Sequence, residues 1–95
     1  MFTYLHRWSI PSKVERDFIH DWTELTKAVM EKFGTKYTAL YRSETGDFVS
    51  LANWQSKDTW TVWKEEYKDH PMRLKYREYK TATSECMLPI VTLHK

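Results

Sequence analysis

The sequence predicts an α+β domain of the ferredoxin-like kind, βαββαβ, with both helices on one face of an antiparallel sheet. Three observations predict it. Phe2–Ile10 alternates, with Phe2, Tyr4, His6, Trp8 and Ile10 set against Thr3, Leu5, Arg7 and Ser9, as a strand does. Val14, Phe18, Trp22, Leu25, Val29 and Phe33 recur every three or four residues, the period of an amphipathic helix. Leu51–Trp63, LANWQSKDTWTVW, reads as a strand running into a helix and holds three of the five tryptophans.

In chain order, Pro11 stops the first strand. Ser12 and Glu15 have the spacing of a capping box at the start of the first helix. Gly34 is its natural left-handed terminator. Tyr37–Ser43 is the second strand, Ser43–Gly46 a turn, and Asp47–Gln55 the third strand. Hairpin register stays open at this stage. A two-residue Thr45-Gly46 loop pairs Tyr41 with Ser50, whereas a three-residue loop with a Gly46 bulge pairs Tyr41 with Val49. The two differ in whether Asn53 or Trp54 shares a face with Tyr41. Ser56 caps the second helix, Ser56–Asp69, whose first turn carries Asp58 and whose apolar positions are Trp60, Trp63 and Tyr67. His70-Pro71 breaks that helix. Met72–Ala82 resumes as a shorter helical piece with Tyr76 and Tyr79. Cys86–His94 is the final strand, with Pro89 implying an edge or a bulge. Residues 1–95 form one domain.

Composition narrows the function. The net charge is +2 with mixed signs, too weak for a nucleic-acid partner. Arg73, Lys75, Arg77 and Lys80 lie near Glu65, Glu66, Asp69 and Glu78, which reads as a solvated mixed-charge face. One cysteine forbids an internal disulfide and fits a reducing, cytoplasmic setting. No apolar run spans a membrane, and the first residues lack the pattern of a signal peptide. The four histidines share no metal-ligand spacing, and two glycines are too few for a phosphate loop.

Strand residues of both parities are apolar. Helices cover only one side of such a sheet, so the other side wants a second copy, and a homodimer is expected.

At this point the chain resembles the antibiotic biosynthesis monooxygenase superfamily of dimeric α+β barrels. The resemblance covers nearly the whole chain. It rests on the opening strand, Phe18-x-x-x-Trp22, the Gly34 stop, Leu40-Tyr41-Arg42, and above all Trp54-Gln-Ser-Lys-Asp-Thr-Trp60 leading to Trp63. It implies a homodimer with a ligand pocket between helices and sheet, and oxygenation of an aromatic or polyketide-like substrate without a cofactor. It also admits a non-catalytic ligand-binding or stress-related module. The haem-degrading branch supplies an alternative with haem as cofactor. That branch uses an Asn on strand one, a Trp on helix two and a haem-ligating His further along. Here Trp63 matches the Trp, His6 stands at the Asn position, and the His position falls near Arg73, with His70 the nearest histidine.

The resemblance places His6, Trp8, Tyr41, Asn53, Trp63 and Tyr67 where they would line the pocket. His6, Asn53 and Tyr41 are the catalytic candidates. His6 titrates near neutrality, and Asn53 or Tyr41 would hydrogen-bond a developing oxyanion. Trp8, Trp63, Tyr67 and His70 are the candidates for holding a small, flat aromatic ligand. Trp54 is expected in the core, His20 in solvent, and His70 at a helix end beside Pro71.

Overall fold

A computed structural model describes residues 2–81, 85–87 and 91; of Tyr37 and residues 85–87 it describes the backbone alone. The elements are β1 (Phe2–Trp8), α1 (Glu15–Phe33), β2 (Lys36–Arg42), β3 (Phe48–Trp54), α2 (Lys57–Tyr67), α3 (Pro71–Tyr76) and β4 (Glu85–Met87). Short 3-10 turns at Ser12–Val14 and Arg77–Tyr79 flank the helices. The sheet is antiparallel, ordered β2-β3-β1-β4, which is the ferredoxin-like arrangement the alternation predicted. Of the expected last strand, Cys86 and Met87 lie in β4. The expectations for Leu88, Pro89, Ile90, Leu93 and His94 fall outside the described residues.

The helix boundaries follow from local chemistry. Gly34 ends α1 at φ 69°, with its N–H donating to the Met30 carbonyl at 2.9 Å. A Cβ at Gly34 would meet nothing, so Gly34→Ala should cost only the left-handed strain, about 1 kcal/mol in chemical denaturation. Ser56 Oγ accepts the Thr59 N–H at 3.1 Å and caps α2, a contact worth about 1 kcal/mol. The capping box at Ser12 does not form. Ser12 opens a 3-10 turn whose N-cap makes no side-chain bond, and the Glu15 carboxylate pairs with Arg42 of β2 instead. His70 and Pro71 together start α3. Pro71 takes the first position, and His70 Nδ1 accepts the Met72 N–H at 3.1 Å. The break resets the helical phase, so α3 presents Met72 and Tyr76 to the core on its own register.

The hairpin register is now fixed. Tyr41 pairs with Val49, and Glu44–Gly46 form a three-residue loop with Gly46 at φ 88°. On one face stand Tyr4, His6 and Trp8 with Ala52, Ser50 and Phe48 opposite them. The other face carries Leu5, Ala39, Tyr41, Val49, Leu51 and Asn53, and Tyr41 is 52% exposed there.

Two aromatic clusters hold the helices on the first face. Phe2, Tyr4, Val29, Trp54, Trp60 and Trp63 form one. Trp8, Phe18, Phe48, Met72 and Tyr76 form the other, and Leu25 touches both. Trp54 is in the core as expected, its ring 5.4 Å from that of Trp63. Tyr76 Oη donates to Asp21 at 2.7 Å and Lys75 Nζ to the same oxygen at 3.1 Å, tying α3 to α1. These bonds hold the Asp21 carboxyl below its usual range, while burial raises the Tyr76 phenol. Among the described residues, no helix is long and apolar enough to cross a membrane.

Candidate active site

A cavity of about 140 Å³ lies between the helices and the sheet, where the two clusters meet. Strand β1 brings Tyr4, His6 and Trp8 to it because even positions face the helices. Strand β3 adds Ser50, Ala52 and Trp54, and β2 adds Thr38. Helix α1 supplies Trp22, Leu25 and Val29, and α2 supplies Trp63. Helix α3 and the turn after it contribute Met72, Arg73, Arg77 and, one residue on, Lys80.

The polar atoms of this cavity are short of partners. Among the described residues, six buried side-chain polar atoms lack a hydrogen bond. Five of them belong to lining residues: His6 Nδ1, Thr38 Oγ1, Trp54 Nε1, Trp63 Nε1 and one Arg73 terminal nitrogen. Each such atom costs about 1–3 kcal/mol when left unpaired. All five belong to residues around this one space.

The charge is one-sided. Among the described residues, the lining carries Arg73, Arg77 and Lys80 and no carboxylate. Burial pulls the Arg73 and Lys80 ionisations down, and the neighbouring cations pull Lys80 further. The Arg73 guanidinium lies over the Trp63 ring, 5.2 Å from its centre. His6 stacks on Trp8 at 5.3 Å and meets Trp63 edge-on at 6.0 Å. Burial, then Lys80 and Arg73, hold its pKa well below 6.5, so the ring is neutral at physiological pH. The unfolded chain takes up this proton as pH falls through 6.5 and the folded chain does not. The stability from the neutral buried ring is therefore present above pH 6.5 and lost as pH falls towards the depressed folded value. His6→Phe should flatten that acid loss below about pH 6.5 in urea titrations; equal slopes for both proteins would exclude it.

The structure brings together three of the seven residues singled out from the sequence: His6, Trp8 and Trp63. Tyr41 and Asn53 stand on the opposite sheet face and do not reach the cavity. Asn53 Oδ1 there accepts the Thr3 hydroxyl at 2.6 Å. Tyr67 and His70 stack on each other at 5.6 Å and line a separate open groove between α1 and the α2–α3 junction. Sequence reasoning missed Trp22, Thr38, Arg73, Arg77 and Lys80. The signal for the cations was Met72/Tyr76 beside Arg73/Arg77, two pairs at i, i+4 across α3 and the start of the turn after it.

The histidine that the haem-degrading resemblance would need on the second helix has no counterpart among the described residues of the cavity. The position expected to ligate iron falls near Arg73, a cation stacked on Trp63. Nδ1 of His70 is committed to the α3 cap, and the ring lies in the outer groove.

Neither a protein-family model nor a curated relative matches the sequence. Solved structures do. A putative antibiotic biosynthesis monooxygenase from Bordetella bronchiseptica aligns with a TM-score of 0.74 at 15% identity, over 95% of this chain and 97% of that one. A mutant of SnoaB, a cofactor-independent oxygenase from Streptomyces nogalater, aligns at 0.78 and 18% identity, over 99% and 97%. An uncharacterized NIPSNAP domain protein from Burkholderia xenovorans aligns at 0.66 and 10% identity, over the whole of both chains. Identities this low speak to architecture, and on that ground the chain has the α+β fold of the antibiotic biosynthesis monooxygenases.

Proposed function

We propose that this protein is a cytoplasmic, cofactor-independent monooxygenase acting on an aromatic or polyketide-like substrate. The observation that carries the reading is the aromatic cavity lined, among the described residues, by three cations, no carboxylate and five side chains that each hold an unpaired polar atom. Its volume is close to that of an engineered cavity of about 150 Å³ that takes benzene. One or two rings enter, and the rest of the substrate stands at the open side.

An anthrone illustrates the chemistry. Its CH₂ carbon loses a proton to His6, leaving an electron-rich anion. The anion transfers an electron to O₂, and the pair combine as a carbon-bound peroxide. Protonation and loss of water leave a second carbonyl. Anthrone and O₂ thus become anthraquinone and water, and the substrate supplies every electron. Burial first, and then Lys80 and Arg73, keep a proton off His6, and the same two cations favour the deprotonated substrate. Trp8 and Trp63 flank the rings, and Arg73 stabilises the oxyanion. The fold neighbour SnoaB is described as a cofactor-independent oxygenase, which supports this reading.

The partner is proposed to be a second copy. Leu5, Ala39, Tyr41, Val49 and Leu51 give the uncovered sheet face an apolar surface suited to it. An oxygen electrode with anthrone tests the function. Protein-dependent uptake of one O₂ per anthraquinone formed is expected. A rate no faster than buffer, across anthrones and hydroquinones, would end the oxygenase reading and leave a silent binding module.

A further inference from the structure

Five cations elsewhere on this molecule have acidic partners among the described residues. Arg7 pairs with Asp47, Lys32 with Glu66, Arg42 with Glu15, Lys68 with Glu65 and Lys75 with Asp21. Arg73, Arg77 and Lys80 line the cavity and make no salt bridge among the described residues. They are held together by the chain. Arg73 and Arg77 are one helical turn apart, and the backbone bridge between Lys80 and Trp8 sets Lys80 beside the end of β1 that carries His6. Arg73 and Lys80 are partly buried, and one Arg73 nitrogen is fully buried without a partner.

Three neighbouring positive charges at one cavity repel one another, and burial sharpens the repulsion. A developing oxyanion requires one of them and exists only during turnover. The other two are positive before and after it. A permanent negative charge on the ligand would meet the other two throughout, with charge-assisted hydrogen bonds from the Arg77 guanidinium and the Lys80 ammonium.

We infer that the natural ligand is an aromatic carboxylic acid, its ring among Trp8, Trp22, Trp54 and Trp63 and its carboxylate held by Arg77 and Lys80, with Arg73 left to the reacting oxygen. The inference rests on the cavity being the substrate site proposed above. It adds a fixed anionic group distinct from the oxygen that reacts.

Calorimetric titration with 2-naphthoate and with methyl 2-naphthoate tests it, because the two share a ring system and differ in charge. The acid should bind at least about 10-fold more tightly than the ester, the preference expected of one charge-assisted contact. Arg77→Gln and Lys80→Gln should each erode that preference severalfold, and Lys80→Arg should keep it. Both positions are at least partly exposed, and circular dichroism of each variant checks the fold. Equal binding of acid and ester, no binding of the acid, or an undiminished preference in the Arg77→Gln/Lys80→Gln double variant would overturn the inference. Oxygen uptake separates it from the oxygenase reading. Acid preference without uptake supports the carboxylate site and refutes oxygenation. Uptake with equal binding refutes the carboxylate site alone.

Discussion

Replacing His6 with phenylalanine is expected to slow protein-dependent anthrone oxidation by about 10²–10⁴-fold, the usual contribution of a positioned base. The fold should survive. The new ring keeps the stack on Trp8 and the edge contacts with Tyr4 and Trp63. It also removes a buried nitrogen with no partner, so the melting temperature should hold or rise. Activity lost with stability kept is the signature of a group retained for chemistry at a cost to packing. A structural histidine would give the opposite pair of results: rate unchanged and stability reduced. His6→Gln is a second measure, since it keeps hydrogen bonding and abolishes titration. A rate within about threefold of wild type in both variants would remove His6 from the mechanism, because it falls below any base contribution.

The largest stability effect is expected at Phe18. Its side chain is 0% exposed, with ring centres of Trp8, Phe48 and Tyr76 at 5.1, 5.3 and 5.1 Å. Those neighbours come from β1, β3 and α3, so one ring joins the sheet to two helices. Phe18→Ala should lower the unfolding free energy by about 3–5 kcal/mol, read from urea denaturation. A domain of this kind has about 5–15 kcal/mol in total, so a large share is at stake. A loss under about 1 kcal/mol would mean that the site collapses around the gap and that Phe18 is not the keystone of its cluster.

Much of the architecture was legible because its cause is periodic. Alternation in Phe2–Trp8, the three-and-four repeat from Phe18 to Phe33, and the Ser56 cap are local facts, and the structure keeps each. Register was not legible. Both hairpin loops satisfy the chemistry of Gly46, yet they send Tyr41 to opposite faces. The loop that forms puts Tyr41 beside Val49 and away from the cavity. Asn53 follows by parity, paired with Thr3 on that same outer side. The cations were misread for a different reason. By composition, Arg73, Arg77 and Lys80 belong with Glu78 and Asp69 on a wet helix face. Pro71 restarts the helix, and the new phase rolls Met72 and Tyr76 inward with Arg73 beside them. Nothing in the run from Trp60 to Tyr67 carries that phase across the break.

The position of β1 in the sheet has a consequence for how the chain is made. Of the four strands, the earliest synthesised is an inner one, bonded to β3 on one side and β4 on the other. Its Phe2, Tyr4 and Trp8 have no partner strand until the stretch ending at Trp54 has been synthesised. The β2–β3 hairpin closes locally, but the sheet is completed only by docking the oldest segment onto newer ones. Late, long-range pairing of this kind folds slowly and leaves aromatic residues open to aggregation meanwhile. Production of this domain should therefore respond to temperature and translation rate.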